Sequence, residues 1–145
     1  MENFDPRAAL AAKQHAEAQM ARAATCPPWR HAIFGLMMGA LVASPAFEMP
    51  LRLAILVLML CCIPIIVQSD RKRMGMFING YRRGKTRIVA IGILAIELSL
   101  YAVAVIRGLD HQDHITPLVL GAVGVLIGIL GSRLWQRVFV SEMGA

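Results

Sequence analysis

Acidic side chains are few in this sequence: nine Asp and Glu among 145 residues, against fifteen Lys and Arg. On the side of the chain that carries most of the basic residues, no two of them stand as the paired carboxylates that general acid–base chemistry uses. An HExxH stretch and a serine–histidine–acid set are absent as well. The chain is therefore expected to be no enzyme and to need no cofactor. There are three cysteines, Cys26, Cys61 and Cys62, and they imply no disulfide framework. The opening Met1-Glu2-Asn3-Phe4-Asp5 lacks the basic start and apolar core of a secretory signal. The first long apolar segment is expected to direct insertion instead.

Apolar residues are what the chain has in quantity. They make up 57%, with only 17% charged, against roughly 25% charged in ordinary soluble domains. They fall into four blocks nearly free of charge, at about 31–47, 51–68, 88–106 and 117–135. A run of about 18 or more apolar residues is long enough to cross the hydrocarbon core as a helix. The runs do not alternate, and backbone amides in lipid need partners within their own segment, so helices are implied rather than barrel strands. The expected fold is all-α: an integral membrane four-helix bundle over 29–145, preceded by a cytoplasmic helix within 1–28.

A net charge of +6 invites a nucleic-acid reading. Its distribution argues for topology instead. With four spans, one side carries Arg7, Lys13, Arg22, Arg30, Arg71, Lys72, Arg73, Arg82, Arg83, Lys85, Arg87, Arg133 and Arg137. The other side carries only Arg52 and Arg107. That asymmetry places the basic side, with both termini, in the cytoplasm. Trp29 and Trp135 fall at the same interface, where indoles anchor well. The expected partners are anionic lipid and other membrane proteins, not nucleic acid.

Punctuation along the chain refines this picture. Asp5 and Pro6 suit the start of the N-terminal helix, and Cys26-Pro27-Pro28 breaks it. Ser44-Pro45 ends or bends the first span, and Pro64 predicts a kink in the second. The stretch Ser69 to Thr86 reads as a basic cytoplasmic loop, with Met74, Phe77, Ile78 and Tyr81 at helical spacing in the headgroup zone. Thr116 is expected to cap the fourth span, with Pro117 in its first turn.

Glu97 is the only acid within a spanning block. A charged side chain at the bilayer centre costs roughly 2.5 to 3.5 kcal/mol or more, so this one should face the bundle interior. It reads either as a proton or cation site, with Tyr101 one turn away, or as a hydrogen-bonding group that aids assembly. Gly121, Gly124, Gly128 and Gly131 line one face of the fourth span, and Gly35 and Gly39 form a small-xxx-small pair in the first. The glycine face of the fourth span is expected to seat a second copy, giving a homo-oligomer.

Other constellations carry less. Vicinal Cys61 and Cys62 in the second span, and Met37 and Met38 in the inner half of the first, have soft-metal donors, but such residues are common packing groups. Asp110-His111-Gln112-Asp113-His114 has ligand-type side chains in a polar loop. No metal site is assigned to either. Gly80-Tyr81-Arg82-Arg83-Gly84-Lys85-Thr86 looks like a phosphate loop but has one residue too few between its glycines. It remains a basic turn at a helix start, where a lipid phosphate is a natural ligand. Lipid or partner contact is assigned to Arg71, Lys72, Arg73, Tyr81, Arg82, Arg83, Lys85 and Arg87.

The stretch from Arg73 to Arg87, RMGMFINGYRRGKTR, resembles a signature in small four-span bacterial membrane proteins of unknown function. Many members have Trp where this chain has Phe77. The resemblance implies the same topology, with a cytoplasmic N-terminal helix, and no activity. Two functions are expected from the whole reading. The first is a non-enzymatic accessory or scaffolding subunit, and the second a small transporter or channel built around Glu97.

Overall fold

The computed structural model describes residues 6–23, 26–74 and 84–142, and every regular element among them is helical. The order is α1 (Pro6–Ala23), α2 (Pro28–Ala43), a 3-10 turn (Ser44–Ala46), α3 (Met49–Met74), α4 (Lys85–Val105), a π-helical turn (Ile106–Asp110) and α5 (Ile115–Glu142). Three helical stretches are long and apolar enough to cross a membrane: Met49–Lys72, Lys85–Asp110 and Ile115–Glu142. The all-α class is thus shown.

The first expected span is the shortest. Its α-helix covers 16 residues, about 24 Å at 1.5 Å per residue, so α2 alone falls short of the roughly 30 Å hydrocarbon core. It starts earlier than expected, at Pro28, because a proline in the first turn needs no amide partner. Ser44-Pro45 then tightens the chain into the 3-10 turn.

The expected loop 69–86 is also corrected. Helix α3 continues through Pro64 to Met74, and α4 begins at Lys85. Arg71, Lys72 and Arg73 therefore sit on the last turn of α3, where cations suit the negative end of a helix. Phe77, Ile78, Tyr81, Arg82 and Arg83 lie outside the described residues, as does Asp5.

Helix α5 is the hub, packed along α2 and α4. The packing rests on glycine more than on large side chains. A Cβ on Gly39 would lie 2.5 Å from the Gly121 carbonyl, and one on Gly128 2.8 Å from the Gly35 Cα. Gly131 receives Ile93 of α4 in the same way. Backbones that close gain dispersion contacts that lipid cannot supply better. The glycine face of α5 is therefore covered by α2 and α4 of the same chain. It is not open to a second copy as the sequence reading expected. Helix α3 is peripheral: none of its apolar stretch is buried against the rest of the protein. Residues 6–16 of α1 are exposed as well.

Candidate functional site

Alternation of direction along the chain brings the starts of α2 and α4 to the same end of the bundle as the ends of α3 and α5. Two cross-helix clamps mark that end. Arg30, in the first turn of α2, pairs with Asp70 near the end of α3, and its other Nη donates to Cys26 Sγ at 3.1 Å. Asp70 is only 4% exposed, so the clamp fixes α3 to the bundle. At the second clamp, Glu142 of α5 reaches the start of α4. It accepts the Lys85 amide and lies 3.4 Å from the buried Thr86 hydroxyl. Gly84 makes room for it. Its φ of +144° suits glycine, and a Cβ there would lie 2.7 Å from a Glu142 oxygen. The anion at this helix start is thus the chain's own carboxylate.

Among the described residues of α2 to α5, both acids at this end are engaged, while most of the cations stay exposed. Arg71, Lys72, Lys85, Arg87, Arg133 and Arg137 are all exposed. Beside them His31 is buried, its Nδ1 2.8 Å from the Ser132 hydroxyl. A groove of about 570 Å³ opens between Pro28 and His31 of α2 and Arg133, Gln136, Arg137 and Ser141 of α5. Gln136 stands beside His31 with its Oε1 buried. In the sequence Arg30 and Arg133 count only as charges that set orientation, and Asp70 and Glu142 only as two of the few acids on the basic side that argue against catalysis.

Glu97 lies deeper, at the junction of three helices. It is 4% exposed. Neither carboxyl oxygen has a hydrogen-bond partner among the described residues. A Cβ on Gly124 of α5 would stand 3.1 Å from Glu97 Oε2 and 3.4 Å from the Gly39 Cα of α2. The glycine seam thus gives the carboxyl its space. Ala104, two turns along α4, is fully buried on the same face. Tyr101 is half-buried and does not bond to Glu97.

At the opposite end the polar loop is short, because Arg107 to Asp110 continue α4 as a π-helical turn. Gly108 lets that turn approach the Pro45 carbonyl. His114 Nδ1 lies 2.9 Å from the Ala46 carbonyl and holds the loop to the 3-10 turn. Asp113, not Thr116, caps α5. Its Oδ1 accepts the Ile115 and Thr116 amides, and its Oδ2 accepts the Thr116 hydroxyl. These bonds hold the Asp113 carboxyl below its ordinary pKa.

Among the described residues no three His, Cys, Asp or Glu side chains converge on a metal position. Cys61 is exposed on α3 and Cys62 half-exposed. No family model, curated protein or solved structure matches the chain.

Proposed function

We propose that this chain is a four-span protein of the cytoplasmic membrane, with both termini in the cytoplasm. Its role is that of a non-enzymatic accessory or scaffolding subunit, holding anionic lipid or partner membrane proteins at its basic end. The first span would be α2 with its 3-10 turn, whose combined rise is about 30 Å. One observation carries the functional reading. Among the described residues of α2 to α5, the acids of that end, Asp70 and Glu142, are bound to the protein itself, while six cations there are exposed. Such a surface attracts anionic headgroups by about 1 kcal/mol per cation. Native mass spectrometry of the protein, gently extracted from its own membrane, tests this. Retained anionic lipid or a partner subunit is expected. A bare chain with neither would overturn the reading.

Glu97 favours a second reading, a small transporter or channel with an intramembrane proton or cation site. A carboxyl fully buried without a partner is costly and marks a functional position by default. On this reading Glu97→Gln abolishes proton or monovalent-cation flux in reconstituted vesicles while expression stays intact. Flux equal to wild type would remove Glu97 from any such mechanism.

A further inference from the structure

We propose that the groove between the start of α2 and the end of α5 binds the phosphate of an anionic lipid. This deepens the proposed lipid binding and rests on it. It assigns the contact to residues of α5, in addition to the loop that the sequence singled out.

Arg133 and Arg137 are four residues apart, so they project from one face of α5, and both line the groove. No acid pairs with either among the described residues. Two unpaired guanidinium groups one turn apart repel each other, and an anion between them relieves that repulsion. Their planar forks match phosphate oxygens two at a time.

The opposite wall is the first turn of α2, which starts at Pro28 with no side-chain cap. Its positive end adds to the same field. By contrast, carboxylates close the starts of α4 and α5.

Gln136 lines the same groove but turns its buried Oε1 away from it, beside His31, so the two arginines carry the recognition. Val140 and Pro28 offer apolar surface for the ester region. Trp29 and Trp135 are sequence neighbours of the groove residues Pro28 and Gln136, and indoles favour the zone where headgroups meet the hydrocarbon.

The test is native mass spectrometry of detergent-purified protein titrated with phosphatidylglycerol, phosphatidylcholine or inorganic phosphate. Wild type should retain phosphatidylglycerol in preference to phosphatidylcholine. The double variant Arg133→Gln/Arg137→Gln should weaken that retention by about tenfold, the scale of losing charge-assisted phosphate contacts. Wild-type retention in the arginine variant overturns the proposal. If the variant Arg71→Gln/Lys72→Gln/Lys85→Gln/Arg87→Gln then loses lipid, the broader lipid-binding reading stands without the groove. Loss of lipid binding in wild type itself removes both. Binding of inorganic phosphate with no lipid adduct overturns the lipid assignment. Elution volume and melting temperature confirm folding. Should the double variant fail to fold, the single changes Arg133→Gln and Arg137→Gln carry the same readout.

Discussion

Glu142, at the end of α5, closes the start of α4: its Oε2 lies 3.4 Å from the Thr86 hydroxyl while its Oε1 accepts the Lys85 amide. The need is physical. Helix α4 opens with Lys85 and Arg87, cations at the positive end of a helix dipole, and its N-cap is Gly84, which has no side chain to offer. A carboxylate from a distant helix supplies both the acceptor and the charge. Glu142→Ala should therefore cost about 0.5–2 kcal/mol, the range for losing a helix cap. Glu142→Gln, which keeps an acceptor, should cost less. Thermal melts in detergent compare the two. Equal melting temperatures for Glu142→Ala and wild type would show that the cap contributes nothing.

Glycine substitutions separate the packed seam from the lipid-facing surface. A Cβ on Gly39 would meet the Gly121 carbonyl at 2.5 Å, whereas one on Gly92 would meet nothing within 4 Å. Gly39→Ala should destabilise by about 1–3 kcal/mol, as overpacking does. Gly92→Ala should be neutral or stabilise by up to about 1 kcal/mol, from helix propensity. Gly124→Leu should unfold the chain rather than dissociate a dimer, because that face packs against α2. Size-exclusion traces and melting temperatures decide between the two outcomes.

These glycines also show how far the sequence could be read. Their three- and four-residue spacing announced close helix approach, and the structure supplies it. Spacing alone could not say whether the partner was another copy or another helix of the same chain. Glu97 was legible because a lone acid in an apolar run has to be buried in the bundle or exposed to lipid at a cost. Asp113 was not, since Thr116 sits where a cap belongs and Asx turns are set by loop geometry. Nor could composition reveal that Arg30 reaches Asp70 across forty residues, or that Arg133 and Arg137 flank a groove. Long-range pairs depend on how the helices are arranged, and hydropathy does not encode that.

The Arg30–Asp70 clamp is the one ion pair that ties peripheral α3 to the bundle among the described residues. Asp70 is nearly buried, so removing Arg30 leaves a desolvated carboxylate with no partner. Arg30→Ala should cost about 1–3 kcal/mol. Adding Asp70→Ala should recover part of it, since the orphaned charge is then gone. Hydrogen exchange over 65–74 reads the local effect. Strictly additive losses in the double-mutant cycle would show that the two side chains do not cooperate.

Acid should act on the start of α5 later than on an ordinary aspartate. The Thr116 hydroxyl and amide stabilise the charged form of Asp113 and lower its pKa in the folded state. Its contribution to stability is thus complete above the unfolded value of roughly 3.9 and is lost as pH falls through the lower folded value. The gap in melting temperature between wild type and Asp113→Ala should be constant from pH 8 to about pH 5 and shrink in more acidic buffer. A gap that widens on acidification would mean that the protonated form is the one bound.

Replacing Glu97 decides whether its carboxyl serves the fold or a function. A buried polar group without a partner costs about 1–3 kcal/mol relative to a satisfied one, and an apolar side chain of similar shape avoids that cost. Among the described residues Glu97 has no hydrogen-bond partner at the junction of α2, α4 and α5. Glu97→Met, close in length and without a titratable atom, should therefore raise the melting temperature of the purified chain. Proteins keep such a destabilising group where activity needs it. If Glu97 instead joined helices through a hydrogen bond, the same substitution would break it and the melting temperature would fall. A rise together with lost proton or cation flux would assign Glu97 to transport, and a fall would assign it to assembly.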